Sequence, residues 1–264
     1  MRNRKIIVAV IGVLAVVTVV SSLTVFVPMA RRYLRESKYI EQLRSGDMDT
    51  KKHAAEQLVA MRSVRSVPVL LDLIREFDTA TWLIVTLKDI GPAGVAVLVR
   101  GLDDESENVR CGAALALGDM QATSAVRSLA RNFSDGTDRS RICAGVALGH
   151  LAEDALPALP VVVGTLSDSD DEVRSCAVGI LRRIGPAARE AGPSLIPLLK
   201  DGNARVRFAA AVALLAVGYR PLPVSELARV IREDREGALK NASETYRKEV
   251  EDLIERAGSQ SRPR

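Results

Sequence analysis

The chain repeats a unit that is seen most clearly between Asp170 and Gly202. Within this unit Ala177, Leu181 and Ile184 follow one another at intervals of four and three residues, which is the spacing of one face of a helix. A Gly-Pro pair then ends the helix, and a second apolar run follows Pro193. The unit is therefore predicted to be a helix, a turn and a second helix.

Copies of this unit can be aligned on six reference positions, which are Lys51, Ala80, Arg110, Arg141, Arg174 and Arg207. The intervals between them are 29, 30, 31, 33 and 33 residues. Three positions after the reference, the residues are Ala54, Leu83, Ala113, Ala144, Ala177 and Ala210. Seven positions after it, every copy has leucine: Leu58, Leu87, Leu117, Leu148, Leu181 and Leu214. Agreement of this kind indicates stacked structural repeats.

The segments ENVRCGAALALGDM, DRSRICAGVALGHL, DEVRSCAVGILRRIG and ARVRFAAAVALLAVG resemble HEAT repeats, in particular the short bacterial type grouped with phycobilin-lyase-like proteins. The resemblance covers residues 47–234 and implies an all-α fold, an α-solenoid of about six HEAT-like helical hairpins. Aromatic residues make up only 3% of the chain, which agrees with helices packed closely around small side chains. Members of this family are mostly interaction scaffolds, so the resemblance implies a fold and not a particular reaction.

A basic N-terminus precedes a charge-free stretch from Ile6 to Ala30. As a helix, residues 6–27 would extend over about 33 Å, enough to cross the hydrocarbon core of a bilayer. A cleaved signal peptide has a shorter apolar region and a small-x-small cleavage site, which Pro28-Met29-Ala30 matches poorly. We therefore expect residues 1–30 to form a single-pass membrane anchor, located in the bacterial inner membrane.

Both flanks of this stretch are basic, with Arg2, Arg4 and Lys5 before it and Arg31, Arg32, Arg35 and Lys38 after it. The positive-inside rule therefore leaves open the side of the membrane on which the repeats lie. Residues 31–46 are predicted to continue as a basic juxtamembrane helix. The second basic cluster either flanks the membrane span or also contacts anionic lipid headgroups.

The repeat pattern stops after Asp234. Residues 235–257 are predicted to form a C-terminal capping helix with an apolar side and many charges elsewhere, as the end of a repeat array requires. The tail, residues 258–264, is predicted to be disordered.

The net charge of +4 comes from the N-terminal segment and not from the repeats. Residues 1–45 contain 8 Lys/Arg and 2 Asp/Glu, so the remainder has 37 − 8 = 29 basic and 33 − 2 = 31 acidic residues. A nearly neutral array with few aromatic residues does not suggest binding to nucleic acid.

The three cysteines, Cys111, Cys143 and Cys176, form no CxxC pair and do not suggest zinc binding. Cys143 and Cys176 occupy the same repeat position, but packed helices usually lie about 8–10 Å apart, beyond the reach of a disulfide. The expectation is three small thiols facing the core, consistent with a reducing compartment.

No catalytic constellation is evident in the sequence. The two histidines, His53 and His150, lie in different repeats, and neither is followed by the glutamate of the His-Glu pairs that hold iron in the related deoxyhypusine hydroxylases. We therefore predict no enzymatic activity, no cofactor and no metal. A lyase acting on a chromophore or small metabolite, similar to phycobilin lyases, and a purely structural spacer in a membrane assembly are the alternatives.

Second helices usually line the partner-binding side of such arrays. On the predicted second helices Arg100, Arg127 and Arg131 could form a local basic patch for an acidic segment of a partner protein, or could be scattered solvated charges. We take them as tentative partner-binding residues of a membrane-anchored scaffold. The reference arginines are predicted to be structural, pairing with neighbouring acidic residues and carbonyl groups.

Overall fold

The computed structural model describes residues 2–76, 81–136, 138–220, 222 and 224–239, with the isolated positions 244, 247–248, 251–252 and 255. Side chains are described from residue 24 onward, except at 81, 82, 84, 85, 138, 224 and 235–239. In this part of the chain the regular structure is entirely helical, which confirms the predicted all-α class. Two compact units, residues 1–70 and 71–264, are described separately.

The first unit is built on a long helix, α1 (Arg2–Ser45), followed by α2 (Met48–Ala60) and a 3₁₀ turn at Val64–Ser66. Asp47 begins α2, because its carboxylate accepts a hydrogen bond from the Thr50 amide at 2.8 Å. The C-terminal half of α1 is part of the core through Ile40 and Leu43. The first hairpin is thus covered by α1 along one side.

Polar contacts also tie α1 to the turn after α2. The Arg32 guanidinium donates to the Met61 carbonyl at 2.6 Å. The Arg65 guanidinium lies 4.2 Å from the centre of the Tyr33 ring and forms an ion pair with Glu36 at 3.3 Å. Glu36 is 8% exposed, so this end of α1 is held by buried charge as well as by apolar packing.

Each repeat contributes a first and a second helix. The helices after α2 are α3 (Val67–Glu76), α4 (Thr81–Lys88), α5 (Val95–Gly101), α6 (Glu107–Asp119), α7 (Val126–Asp135), α8 (Asp138–Leu151), α9 (Leu159–Gly164), α10 (Asp171–Ile184), α11 (Gly192–Leu195), α12 (Ala204–Ala216) and α13 (Val224–Leu239). Even-numbered helices from α2 to α12 are first helices, and each is followed along the chain by its second helix, the next odd-numbered one. Six consecutive pairs of helices are therefore present in the described residues, as predicted.

The second helices of repeats four and five are short and end in 3₁₀ turns, at Thr165–Ser167 and Pro197–Lys200. In repeat five Pro197 has no amide proton to continue the α-helical ladder, which explains why α11 stops after one turn. Repeat four contains a seven-residue 3₁₀ segment at Ala152–Ala158.

The columns read from the sequence form the core. All six residues at offset three and all six leucines at offset seven are 0% exposed. At offset ten Ile90, Leu151, Ile184 and Val217 are buried, whereas Met61 and Met120 are partly exposed. The register predicted from the sequence is confirmed.

In every repeat the first helix is followed by a residue with a positive φ angle, eleven positions after the reference position. These residues are Arg62, Gly91, Gln121, Ala152, Gly185 and Gly218, with φ between 48° and 83°. The sequence indicated helix-ending turns only at the two Gly-Pro pairs, Gly91-Pro92 and Gly185-Pro186. Non-glycine residues occupy this position in three repeats, at a cost of about 1–2 kcal/mol each. Gly91 and Gly185 have ψ of −174° and −141°, a region that essentially only glycine adopts.

Neighbouring first helices approach each other very closely in repeats three and four. A Cβ atom on Gly118 of α6 would lie 2.7 Å from the Ala147 Cα of α8, so only glycine fits there. This approach brings the Cα atoms of Cys111 and Cys143 to 5.2 Å, and the two residues form a disulfide. The expectation of three core thiols was wrong for this pair, because small residues let these helices pack closer than the usual 8–10 Å.

Of the predicted membrane segment, residues 1–23 lie outside the part of the chain whose side chains are described. The described residues after them are unusually apolar at the surface: Val25, Phe26, Val27, Met29, Tyr33 and Leu34 are exposed on α1. One described stretch, residues 139–167, is long and apolar enough to cross a membrane, but 44% of its apolar window is buried and it forms the core of repeat four. The membrane anchor stays a prediction.

The C-terminal helix α13 begins at Val224 and runs to Leu239, through the predicted boundary between residues 234 and 235. Most of the predicted capping helix at 235–257 and the predicted tail at 258–264 lie outside the described residues.

Replacing Leu148 by Asp tests the repeat register. Leu148 is 0% exposed, so the buried carboxylate should lower the free energy of unfolding by about 4 kcal/mol in urea denaturation. Val146→Asp, on the same helix but 38% exposed, should change it by only about 0.5 kcal/mol. Equal stability of the two variants would contradict the register.

A pair of glycine substitutions in repeat five tests the left-handed turn. Gly185→Ala meets no atom within 4 Å but forces alanine to φ +67°, so it should destabilise the fold by about 1 kcal/mol. Gly179→Ala, in the interior of α10 with equally free space, should stabilise it by about 0.5–1 kcal/mol. Opposite signs in chemical denaturation are expected, and the same sign for both would refute the backbone argument.

Candidate docking surface on the second helices

The reference arginines fix the loop that leads into each first helix. Arg174 Nη1 donates to the carbonyl groups of Asp168 at 2.8 Å and Ser169 at 3.0 Å. Arg207 repeats this arrangement with Asp201 at 2.8 Å and Gly202 at 3.2 Å. Arg110 does the same for the loop before α6. Loop carbonyl groups that lie outside the helices are thereby satisfied.

In Arg141, Arg174 and Arg207 the other side of the guanidinium reaches an aspartate 27 residues later, at or near the end of the second helix. Arg174 forms a two-pronged pair with Asp201 at 2.8 and 2.9 Å, and Arg207 forms the equivalent pair with Asp234 at 2.8 Å on both prongs. Arg141 pairs with Asp168. The predicted structural role of these arginines is confirmed, since each one links consecutive repeats.

Two of these aspartates, Asp168 and Asp201, also organise the next loop and have lowered pKa values. The Asp201 carboxylate accepts the Asn203 amide at 2.8 Å, and that of Asp168 accepts the Asp170 amide at 2.9 Å. Hydrogen bonds from Arg141 lower the pKa of Asp168 below its usual value. At Asp201 burial raises the pKa, but the hydrogen bonds from Arg174 and the Asn203 amide outweigh it, and the net shift is downward.

Repeat two has alanine at its reference position in the sequence, and a different arginine takes over part of this role. Arg75, at the end of α3, donates to Asp104 at 2.7 Å and to Asp72 at 2.8 Å. Asp104 in turn accepts the Ser106 amide at 2.9 Å. The loop between repeats two and three is therefore held in the same way from a different helix.

The arginine–aspartate pairs that link consecutive repeats are called the arginine–aspartate ladder below. The predicted docking residues lie outside this ladder, on the exposed side of the second helices. Arg100 lies on α5, and Arg127 and Arg131 lie one turn apart on α7. All three are exposed. Arg100 and Arg131 are equivalent, because each precedes a reference arginine by ten positions. The repeat register thus places the three on one face of consecutive second helices.

Their charges are not equally available. Arg131 forms an ion pair with Asp103 at 2.5 Å, although both side chains are more than half exposed. No ion pair is formed by Arg100 or Arg127 in the described part of the chain. The predicted basic patch therefore consists of two arginines without an ion pair, Arg100 and Arg127, and one arginine paired with an aspartate. Partner binding by these residues stays a prediction.

Beside them a cleft of about 410 Å³ is lined in part by Asp103, Arg131 and Asn132. The Asn132 amide group donates to the Leu102 carbonyl at 2.7 Å and so joins α7 to the preceding repeat. Its Oδ1 atom is buried and accepts no hydrogen bond from the described residues. A buried acceptor without a donor costs about 1–3 kcal/mol.

A larger groove of about 760 Å³ crosses the first helices α8, α10 and α12, and sequence reasoning missed it. Its lining mixes the apolar Ile142 and Val146 with the charged Glu172 and Arg205. Val146 is 38% exposed, and an apolar residue off the core stripe was the only sequence signal for this groove.

The described residues offer no metal site, since no three His, Cys, Asp or Glu side chains come together among them. His150 Nδ1 lies 3.0 Å from the Asp119 carboxylate, in a contact between repeats four and three. His53 packs edge-on against the Tyr39 ring in the first unit. Both histidines therefore take part in packing contacts.

The family model for HEAT repeats matches residues 134–214 and 159–246. Residues 134–246 therefore contain HEAT repeats. The match begins in α7 and therefore covers the repeats in which the arginine–aspartate ladder is complete. The earlier repeats share the buried columns and the left-handed turn, which identifies them as the same unit on structural grounds.

Two solved structures are similar to this chain. The complex of CpcE and CpcF of phycocyanin lyase from Nostoc sp. PCC7120 is similar over 57% of this chain and 99% of that chain, with a TM-score of 0.52 and 20% identity. A designed armadillo repeat protein in complex with the peptide (KR)4 is similar over 83% of this chain and 97% of that chain, with a TM-score of 0.46 and 20% identity. No curated protein matches the chain. At this identity the likeness to the CpcE–CpcF complex establishes an α-solenoid and nothing finer.

Replacing Asp201 by Asn tests the ladder through pH. Because the pKa of Asp201 is lowered in the folded state, its charge stabilises the fold above the unfolded pKa of about 3.8, and this contribution is lost as the pH falls further. We expect Asp201→Asn to lower the unfolding free energy by about 2 kcal/mol at pH 7. The difference from the unmodified chain should shrink below pH 4.

The matched control is Asp103→Asn, which breaks the exposed pair with Arg131. Exposed pairs contribute about 0–1 kcal/mol, so this variant should differ little from the unmodified chain at any pH. Denaturation curves between pH 3 and pH 7 measure both. An Asp201→Asn deficit that stays constant across this range would contradict the electrostatic origin.

Proposed function

We propose that this chain is a membrane-anchored scaffold whose HEAT repeats dock another protein. The partner contacts the second-helix surface of repeats two and three and presents acidic groups to it. In this proposal the chain is not an enzyme and needs no cofactor or metal.

The observation that carries the docking role is the pair of exposed arginines on consecutive second helices. Arg100 on α5 and Arg127 on α7 form no ion pair with the described residues. Carboxylates of a partner would pair with both guanidinium groups. CpcE and CpcF, which share the fold, form a complex with each other, and this supports a protein as the ligand.

The anchoring role is supported by α1. Nine large apolar side chains are exposed in the described residues, and six of them lie between positions 25 and 34 of this helix. Exposed apolar groups in such a cluster are typical of a surface that lies against lipid or another protein. They continue the charge-free stretch that begins at Ile6, so a bilayer is the environment that covers both.

A chromophore or metabolite lyase is the alternative favoured by the likeness to phycocyanin lyase. The two functions differ in what stabilises the protein. A lyase of this kind would be stabilised against heat by its small ligand alone, whereas the scaffold requires its protein partner.

Proximity labelling in the native cell tests the docking role, with the labelling enzyme fused after Arg264. The full chain is compared with an Arg100→Glu/Arg127→Glu variant, which leaves the Arg131–Asp103 pair intact. Two charge reversals should cost more than about 1.4 kcal/mol of binding free energy, a tenfold loss of affinity. We expect one enriched protein to disappear from the labelled set.

The matched control is Arg189→Glu/Arg205→Glu, which makes the same charge change at exposed positions away from this surface. It should retain the enriched protein. If the docking variant and the control give the same labelled set, the second-helix surface is not the docking site. Release of the full chain from membranes by alkaline carbonate would separately refute the anchor.

A further inference from the structure

The disulfide answers a question that the charges around α1 leave open, namely the side of the membrane on which the repeats lie. Cys111 is on α6 and Cys143 is on α8, so the bond joins repeats three and four across 32 residues. Thiols in the cytosol are kept reduced, whereas disulfides form and persist in oxidising compartments. A stable crosslink of this kind therefore carries information about location.

The pairing of these two cysteines is a consequence of the fold. Their Cα atoms are 5.2 Å apart, within the range of about 4.4–6.8 Å that disulfides span. The separation is set by the contact of Gly118 with Ala147 one to two turns further along the same helices.

The third cysteine does not compete for this pairing. The Cys176 sulfur is packed on Gly145 of α8, in the place that a Cβ atom at this position would take. Burial raises the pKa of the Cys176 thiol to about 12, so it is not a thiolate at neutral pH. Exchange requires an attacking thiolate, and the Cys111–Cys143 bond is therefore protected from its nearest potential rival.

The bond is also protected from soluble reductants, because Cys111 is 6% exposed and Cys143 is 8% exposed. These positions are covered once the repeats have stacked. Oxidation must then accompany folding, before α6 and α8 are fully covered.

We propose that Cys111 and Cys143 are oxidised to a structural crosslink outside the cytoplasm, so that the HEAT repeats and their docking surface lie on the outer side of the membrane. The oxidant is the disulfide of a thiol oxidoreductase. It accepts two electrons and two protons from the two thiols and becomes a dithiol, while one S–S bond forms between α6 and α8. The membrane side of this inference rests on the anchor of the proposed function.

The charges around α1 do not decide the orientation, because both flanks of the apolar stretch are basic. In the proposed orientation Arg2, Arg4 and Lys5 remain in the cytoplasm. Of the second basic cluster, Arg32 is engaged in the fold through the Met61 carbonyl and Glu36. These contacts within the fold explain why an arginine stands shortly after the predicted membrane span.

Thiol trapping of the full chain in its native cell tests the crosslink. Cells are quenched in acid, free thiols are blocked with N-ethylmaleimide under denaturing conditions, and the protein is then reduced and treated with maleimide-polyethylene glycol. Two additions are expected for the unmodified chain and none without the reduction step. Cys176→Ser, the matched control, should still give two, and Cys111→Ser should give none.

No addition to the unmodified chain would overturn the proposal, because all three thiols would then be free in the cell. Two additions that persist in Cys111→Ser would overturn the pairing. The test does not depend on the folding of Cys111→Ser, because the unmodified chain and Cys176→Ser are enough to show whether the bond is present.

The side of the membrane is measured with a C-terminal tag and protease added to spheroplasts. Loss of the tag is expected, and a tag protected until detergent is added would overturn the orientation. Alkaline carbonate extraction of the same membranes separates this result from the proposed function. A chain that is extracted but carries two trapped thiols would refute the anchor and leave the crosslink in place.

Discussion

The close contact of neighbouring first helices is the constraint on which the other features depend. An alanine three positions after the reference and a leucine four positions later fill the interface in most repeats, and none of these side chains is exposed. Small side chains bring the helices together, and the leucines fill the space that remains between them. Gly118 and Gly145 mark the places where even a methyl group does not fit. The Cys111–Cys143 bond exists because of this approach.

A second set of interactions fixes the loops between repeats, and it is electrostatic. One guanidinium satisfies two carbonyl groups of the loop before it and the aspartate of the loop after the next helix. The aspartate also accepts an amide from its own loop. Because each arginine–aspartate pair contacts two repeats, the polar network holds the repeats at the spacing that the core sets. The surface charges that remain outside it, such as Arg100 and Arg127, are the ones available to a partner.

Much of this could be predicted from sequence, and the reason is local periodicity. The columns at Leu148, Leu181 and Leu214 identify the buried face of each first helix without reference to any other contact. The turn after the first helix could be predicted at Gly185, because glycine is typical of a positive φ angle. It could not be predicted at Ala152, because alanine rarely adopts such an angle. The three exposed arginines could be named from the sequence, whereas the Arg131–Asp103 pair depends on how α7 meets the loop that follows α5. The first-helix groove left almost no signal, since a groove is a property of the space between helices.

The sequence by itself determined the secondary structure, the repeat register and the buried columns, because each repeat folds on contacts within about one period and restates them six times. It also supplied the apolar N-terminal stretch from which the membrane anchor is predicted. The tertiary structure alone decided which cysteines pair, which arginines keep a free charge and where clefts open. These depend on distances between helices, and a change of two or three ångströms in helix packing separates two thiols from a disulfide.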